Sequence, residues 1–123
     1  MKLYKLTDQY GNTKNSTHWG IGITHEVTGI PKLCTNTVIH AYTSPLLAQL
    51  MNPIQGMFET PLCFEAECEI VISDGTKVGC QKLTIVEKCE LPKVNLTQRV
   101  AFGILCTLEV YNESNFVLWA NNW

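Results

Sequence analysis

The chain is poor in arginine and in charge, and it has no long hydrophobic run. Arg99 is its only arginine among 123 residues, and charged residues make up only 16% of the chain. The formal net charge is −2, which excludes the general attraction of a basic protein for duplex nucleic acid or an anionic membrane surface. No segment approaches the roughly 18 apolar residues that a bilayer requires. We therefore expect neither duplex nucleic acid nor a membrane as a partner.

The cysteines and histidines lack the spacing of a metal site. Six cysteines are present, and the nearest pair, Cys63 and Cys68, is five residues apart, which is not a C-x-x-C spacing. An even number of cysteines suits a disulfide framework in an exported protein. The first residues, however, lack the apolar core of a signal peptide. We therefore expect free thiols, a cytoplasmic location and no cofactor, with disulfides as the alternative.

Alternating apolar residues predict a mainly β region over residues 1–92. The predicted strands cover residues 3–6, 19–23, 38–42, 64–72, 78–82 and 83–91. Ser73-Asp74-Gly75-Thr76 is a strong hairpin signal. A cap at Thr43 or Ser44, followed by Pro45, predicts one short helix near 44–52, which Asn52-Pro53 should end.

The apolar period becomes helical over residues 95–123. Asn95 and Gln98 predict a capping box for a helix that runs to about Tyr111, and Ser114 should cap a last short helix. The longer helix is apolar almost all round, and a sheet in so small a monomer covers only one of its faces. We therefore expect a homo-oligomer through these helices. The predicted fold is a single α+β domain, 1–123, with an antiparallel β-sheet core, one short inserted helix and two C-terminal helices.

Residues 16–26 concentrate groups that suit recognition of a nucleobase. Trp19 and His25 flank Gly20 and Gly22, which would leave one face of the strand bare. His40 and Tyr42 would add a similar surface if their strand lay beside it. Flat aromatic groups with polar neighbours stack on bases. The alternative is a core tryptophan with histidines satisfied by the backbone, and a bare face covered by another strand.

Arg99 lies near the start of the predicted long helix, where a cation opposes the helix dipole. Together with free amide donors it would form an anion site, because guanidinium matches phosphate oxygens bidentately. Asn95, at the same corner, would bind a hydroxyl or a base edge. A structural salt bridge to a nearby glutamate is the alternative for Arg99.

The order of short segments along nearly the whole chain resembles the phage Thoeris anti-defence sponge family, the first type described. These segments are Lys2-Leu3-Tyr4-Lys5, Trp19-Gly20, Thr24-His25-Glu26, Leu33-Cys34, His40-Ala41-Tyr42-Thr43-x-Pro45-Leu46, Asn52-Pro53-Ile54, Lys77-Val78-Gly79-Cys80 and Gln98-Arg99-Val100-x-Phe102-x-Ile104-Leu105-Cys106.

The resemblance implies a non-catalytic protein that sequesters a cyclic ADP-ribose-type signal made by a bacterial TIR-domain enzyme. Members of this family are homo-oligomers with pockets between subunits, and some also hold cyclic oligonucleotides in separate sites. The protein would act in the cytoplasm of an infected bacterium. Its expected ligand-binding residues, taken from the sequence patterns above, are Trp19, His25, His40, Tyr42, Asn95 and Arg99.

Two other functions remain open at this stage. The chain could be a small nucleotide-processing enzyme in which His25 or the glutamates 65, 67 and 69 act as acid–base groups. Three glutamates on one strand face are also typical of a solvated surface. The chain could instead inhibit a host protein through its apolar helices.

The arginine hypothesis gives a first prediction. Arg99→Ala should weaken binding of a cyclic ADP-ribose isomer roughly ten- to a hundred-fold, because a charged hydrogen bond contributes about 1.5–3 kcal/mol. Arg99→Lys should recover only part of the affinity. Calorimetric titration beside melting curves distinguishes the two roles of Arg99. A structural salt bridge would lower the melting temperature and leave the affinity per folded molecule unchanged.

Overall fold

Nine strands and one short α-helix make up the first part of the chain. The computed structural model describes residues 1–123 in two units, Met1–Pro92 and Lys93–Trp123. The strands are β1 Lys2–Thr7, β2 Asn12–Thr13, β3 Thr17–His18, β4 Thr24–Glu26, β5 Ile39–Ala41, β6 Leu62–Cys68, β7 Ile72–Ser73, β8 Val78–Cys80 and β9 Lys82–Cys89. Helix α1 covers Pro45–Met51, α2 Leu96–Val110 and α3 Ser114–Asn122.

All strand pairing is antiparallel. One sheet has the order β1-β6-β9-β4, a second has the order β5-β8-β7, and β2 pairs with β3. Only Gln81 separates β8 from β9, so the chain passes directly from the second sheet into the first. The predicted α+β fold, with an antiparallel core and three helices, is confirmed.

Backbone hydrogen bonds between Tyr4 and Tyr42 join the free edges of the two larger sheets. The Tyr4 amide donates to the Tyr42 carbonyl at 2.8 Å, and the Tyr42 amide donates to the Tyr4 carbonyl at 2.9 Å. The two sheets are therefore joined by hydrogen bonds between β1 and the end of β5, and by the chain itself between β8 and β9, which do not pair. They share one buried core and together form a small, open barrel.

Strand alternation places one set of apolar side chains inside the barrel. This buried cluster consists of Leu3, Trp19, Ile39, Ala41, Phe64, Ala66, Cys68, Val78, Cys80, Leu83 and Ile85. Leu6 and Cys63 face the other way on their strands and are also buried, as are Ala48 and Met51 of α1. Helix α1 therefore helps to cover a second, smaller apolar layer outside the barrel.

Local signals for helices and turns match the structure at three places. Ser44 Oγ accepts the Leu47 amide at the start of α1. Asn95 and Gln98 form both bonds of the capping box that begins α2. Asp74 Oδ1 accepts the amides of Thr76 and Lys77 in the hairpin turn. These signals are local hydrogen bonds, which explains why the sequence predicts them.

Several expected element boundaries are wrong. Residues 19–23 are not a strand: Gly22 adopts φ +82° in a turn, and the strand begins only at Thr24. The strand expected over 64–72 ends at Cys68, and Ile72–Ser73 form a separate strand. The α-helix ends at Met51 as expected, but the chain continues as a π-helical turn over Asn52–Gly56. Glu113, not Ser114, caps α3, and its carboxylate accepts the amides of Asn115 and Phe116.

Helices α2 and α3 leave much apolar surface uncovered within the chain. Neither helix has a buried residue, and Leu105, Trp119 and Trp123 are all more than half exposed. Phe116 lies between Tyr111 and Trp119, at ring-centroid distances of 5.4 and 5.7 Å. The chain contains no helix with both the length and the hydropathy needed to cross a bilayer.

Gly79 allows the second sheet to pack against its neighbours, which gives the second prediction. A Cβ at this position would lie 2.8 Å from Ile72 Cγ2 and 3.0 Å from Val38 Cβ. Gly79→Ala should therefore lower the free energy of unfolding by about 1–3 kcal/mol, as overpacking does. Urea denaturation measures this change. Val71→Ala, at an exposed position of the same hairpin, is the control and should change stability by less than about 0.5 kcal/mol.

Candidate functional site

Lys5 is a lysine on the core-facing side of β1. Leu3, two residues earlier on the same face, is fully buried in the barrel. The Lys5 ammonium donates to the His40 carbonyl at 2.6 Å and lies 5.7 Å from the centroid of the Trp19 ring. A cation over an indole face is favourable. Lys5 thus brings two residues of the predicted site, Trp19 and His40, into one neighbourhood.

The charge of Lys5 is not neutralised by a carboxylate. The ion pairs of the protein join Lys2 to Glu65 and the terminal ammonium to Glu67, and neither involves Lys5. Burial lowers the pKa of Lys5 to about 8, because the charged form loses its hydration. The uncharged His40 carbonyl and the Trp19 indole compensate only part of the lost hydration free energy.

His40 is half-buried and accepts a hydrogen bond through its imidazole. The Cys34 amide donates to His40 Nε2 at 2.9 Å, so this nitrogen is unprotonated. Burial lowers the pKa of His40, and the charges of Lys5 and Lys77 lower it further. The ring is therefore neutral near pH 7, with its proton on Nδ1.

The charges of three lysines, Lys5, Lys14 and Lys77, contribute to the lowered pKa of His40. We name these three residues the lysine cluster. The Lys77 ammonium lies 2.8 Å from Cys34 Sγ, and Cys34 itself adopts a positive φ of 62°. The carboxylate of Asp74 opposes them at His40. Its Oδ1 accepts hydrogen bonds in the hairpin turn, which help to hold the pKa of Asp74 below its usual value, so Asp74 remains an anion at this place.

Trp19 is a core residue rather than an open stacking surface. Only 2% of it is exposed, and its Nε1 donates to Thr13 Oγ1 at 3.1 Å. His25 meets the indole edge-on, with ring centroids 4.5 Å apart, and His25 Nε2 donates to the His18 carbonyl at 2.6 Å. The expected face for a base is therefore occupied by the protein itself in this structure.

The other three expected site residues lie elsewhere. The Tyr42 hydroxyl donates to Gln55 Oε1, and burial raises the pKa of Tyr42 to about 12. Asn95 uses its side-chain oxygen to cap α2, and Arg99 lies in the first turns of the same helix. Both belong to the second unit of the chain.

Sequence patterns alone missed Lys5, Cys34 and Lys77. Lys5 could have been found, because it shares the strand parity of Leu3 and so points inward. Cys34 contacts His40 from the loop only six residues before it. Lys77 is distant in sequence and precedes β8, which pairs with β5 so that His40 is opposite Gly79, and no local pattern encodes that pairing.

The glutamates of β6 are engaged with cations. Glu65 is 2.6 Å from the Lys2 ammonium, and this hydrogen bond holds the pKa of Glu65 below its usual value. Glu67 pairs with the terminal ammonium, and Glu69 lies beyond the end of β6. Glu65 and Glu67 are therefore placed as ion-pair partners.

A shallow cleft of about 250 Å³ lies on another part of the first unit. It is lined by Asp8, Gln9, Tyr10, Glu59 and Thr60. None of the expected site residues lines it, and its two carboxylates do not favour an anionic ligand. Histidine, cysteine and carboxylate side chains form no group of three or more that could hold a metal ion.

No family model matches this chain, and neither a curated protein nor a solved structure is similar enough to indicate a relationship.

The buried ammonium of Lys5 gives the third prediction. Its pKa is about 8 in the folded state against an ordinary 10.5, so the unfolded chain binds more protons between these values. The contribution of Lys5 to stability should therefore rise as pH rises from about 8 to 10.5. Lys5→Met should stabilise the protein by roughly 2 kcal/mol at pH 7 and should lose that advantage near pH 10.5.

Urea denaturation of parent and variant at both pH values tests this prediction. Lys82→Met, at an exposed position of β9 outside this neighbourhood, serves as the control and should give the same small difference from the parent at each pH. A Lys5→Met protein whose stability difference does not depend on pH would contradict the assignment.

Proposed function

We propose that the protein binds and sequesters a cyclic nucleotide of the cyclic ADP-ribose type without turning it over. It would act as a phage anti-defence protein in the cytoplasm of an infected bacterium and would remove the signal that activates an immune effector. The resemblance to the Thoeris anti-defence sponge family suggests the ligand. The lysine cluster is the observation that carries the proposal.

The cluster supports an anionic ligand by its charge. Lys5, Lys14 and Lys77 make no ion pair within the chain, although the protein as a whole has a net charge of −2. Like charges that act on one half-buried side chain repel one another, although Asp74 opposes them there. A pyrophosphate group would remove that repulsion, because phosphate oxygens accept hydrogen bonds from ammonium groups.

His40 adds a neutral donor to the same place. Since Nε2 accepts the Cys34 amide, Nδ1 carries the ring proton, and it makes no hydrogen bond within the chain. A neutral imidazole N–H suits a ribose hydroxyl or a phosphate oxygen. The cluster thus combines charge for a phosphate with a directional donor, as small-ligand sites do.

The second unit suits association with a second copy of the chain. The exposed apolar residues of α2 and α3 are numerous, and exposed apolar patches mark interaction sites. We include homo-oligomerisation through residues 95–123 in the proposal. Asn95 and Arg99 remain proposed ligand contacts within that unit.

Binding of cyclic ADP-ribose isomers, measured by calorimetric titration, provides the fourth prediction. Lys77→Ala should weaken binding roughly ten- to a hundred-fold, because it removes one charged hydrogen bond worth about 1.5–3 kcal/mol. The affinity of the parent should fall as salt increases and as pH rises above about 8, where Lys5 loses its proton.

Lys82→Ala is the matched control, since Lys82 is an exposed lysine on β9 outside the cluster. It should leave the affinity unchanged. After binding, heat denaturation should release the ligand intact, whereas an enzyme would return an altered product. The lysine cluster would not be the binding site if Lys77→Ala bound as tightly as the parent, and sequestration would be wrong if no isomer bound.

A further inference from the structure

Cys63 and Cys89 face each other across two neighbouring strands. They are direct partners in the antiparallel pairing of β6 and β9. Their sulfur atoms lie 2.9 Å apart, with the Cys89 thiol donating to Cys63 Sγ. Opposed residues in an antiparallel pair have Cα separations of about 4.5–5.5 Å, within the range that a disulfide spans.

The two thiols differ in access to solvent. Cys63 is 1% exposed, and burial together with its contact to Cys89 raises the pKa of its thiol. Cys89 is half-buried, and it is the last residue of β9 in the terminal pair of the pairing with β6. Oxidation depends on access and on thiolate character, so Cys89 is placed to react first and Cys63 second.

We propose that Cys63 and Cys89 form a reversible oxidation site in which a small-molecule disulfide, such as oxidised glutathione, converts the facing thiols to an intramolecular disulfide. The site is separate from the lysine cluster and does not depend on the proposed function. Its substrate class is a low-molecular-weight disulfide, and its product fixes the pairing of β6 with β9.

The exchange balances in two steps. Cys89 gives its proton to solvent, and its thiolate attacks one sulfur of the small disulfide, which releases one small thiolate and leaves a mixed disulfide on Cys89. Cys63 then loses its proton and attacks Cys89 Sγ, which releases the second small thiolate. The protein thiols are oxidised by two electrons, and the small disulfide is reduced to two thiols.

The remaining cysteines are less suited to the reaction. Cys68 and Cys80 both belong to the buried cluster of the core, where they are 7% and 0% exposed. Cys34 and Cys106 are exposed and have no cysteine partner within the chain. Cys63 and Cys89 are therefore the facing pair in which one thiol is accessible.

The disulfide should stabilise the folded chain because it restricts the unfolded one. The two residues are 26 apart in sequence, and a loop of that order is long enough for a substantial effect. The melting temperature of the oxidised protein should rise by roughly 10 °C and return after treatment with dithiothreitol.

The test uses the full chain carrying Cys34→Ser and Cys106→Ser, which prevents links between molecules. After incubation with oxidised glutathione, peptide mapping without reduction should find one intramolecular link, between Cys63 and Cys89. Adding Cys89→Ser should abolish both the link and the rise in melting temperature. Adding Cys68→Ala instead is the matched control and should abolish neither.

The outcomes are decisive in either direction. Free Cys63 and Cys89 after incubation, or a link between Cys68 and Cys80 instead, would overturn the proposal. A linked protein with an unchanged melting temperature would overturn its stabilising role. If Cys89→Ser does not fold, mapping of the parent background still decides, because it requires no further substitution.

Discussion

The two backbone hydrogen bonds between Tyr4 and Tyr42 fix the relation between the sheets of the first unit. They align the residues that follow, so that Lys5 on β1 comes within 2.6 Å of the His40 carbonyl on β5. The same strand β5 pairs with β8, which follows the hairpin that contains Lys77. The lysine cluster is thus assembled from three distant segments by the closure of the barrel, not by any one of them.

At position 5 of β1, the cost of burying a charge opposes the gain from burying a side chain. The inward face of β1 would bury an apolar side chain at position 5 at a gain of about 1.5–3 kcal/mol, whereas a buried ammonium loses hydration. The loss is limited by the carbonyl and the indole that contact Lys5. Burial of His40 lowers the pKa of its imidazole, and the charge of Lys5 lowers that pKa further, so the ring is neutral.

The sequence was sufficient wherever the controlling interaction is local. Strand alternation identified β1, β6 and β9, and hydrogen bonds within a few residues identified the caps of α1 and α2. It failed at residues 19–23, where alternating glycines resemble a strand but permit the turn at Gly22. Of the expected site residues, Trp19 contacts His25 and lies near Lys5, and the His40 carbonyl accepts from Lys5, whereas Tyr42 is bonded to Gln55. The contact of Lys5 with His40 depends on contacts between strands distant in sequence, which no local pattern contains.

Lys5 is the position at which strand patterning and the observed residue disagree most clearly. Natural sequences usually satisfy the pattern of apolar residues inside and polar residues outside, and departures concentrate at functional sites. A poorly exposed charged side chain that has an ion-pair partner within the chain, as Glu65 has in Lys2, needs no ligand to explain it. Lys5 forms no ion pair with a carboxylate, whereas the charge of Lys77 acts on Asp74 and helps to lower the pKa of that carboxyl. An external anion would balance the charge of Lys5, which is why the lysine cluster, rather than the buried Trp19, supports the proposed anionic ligand.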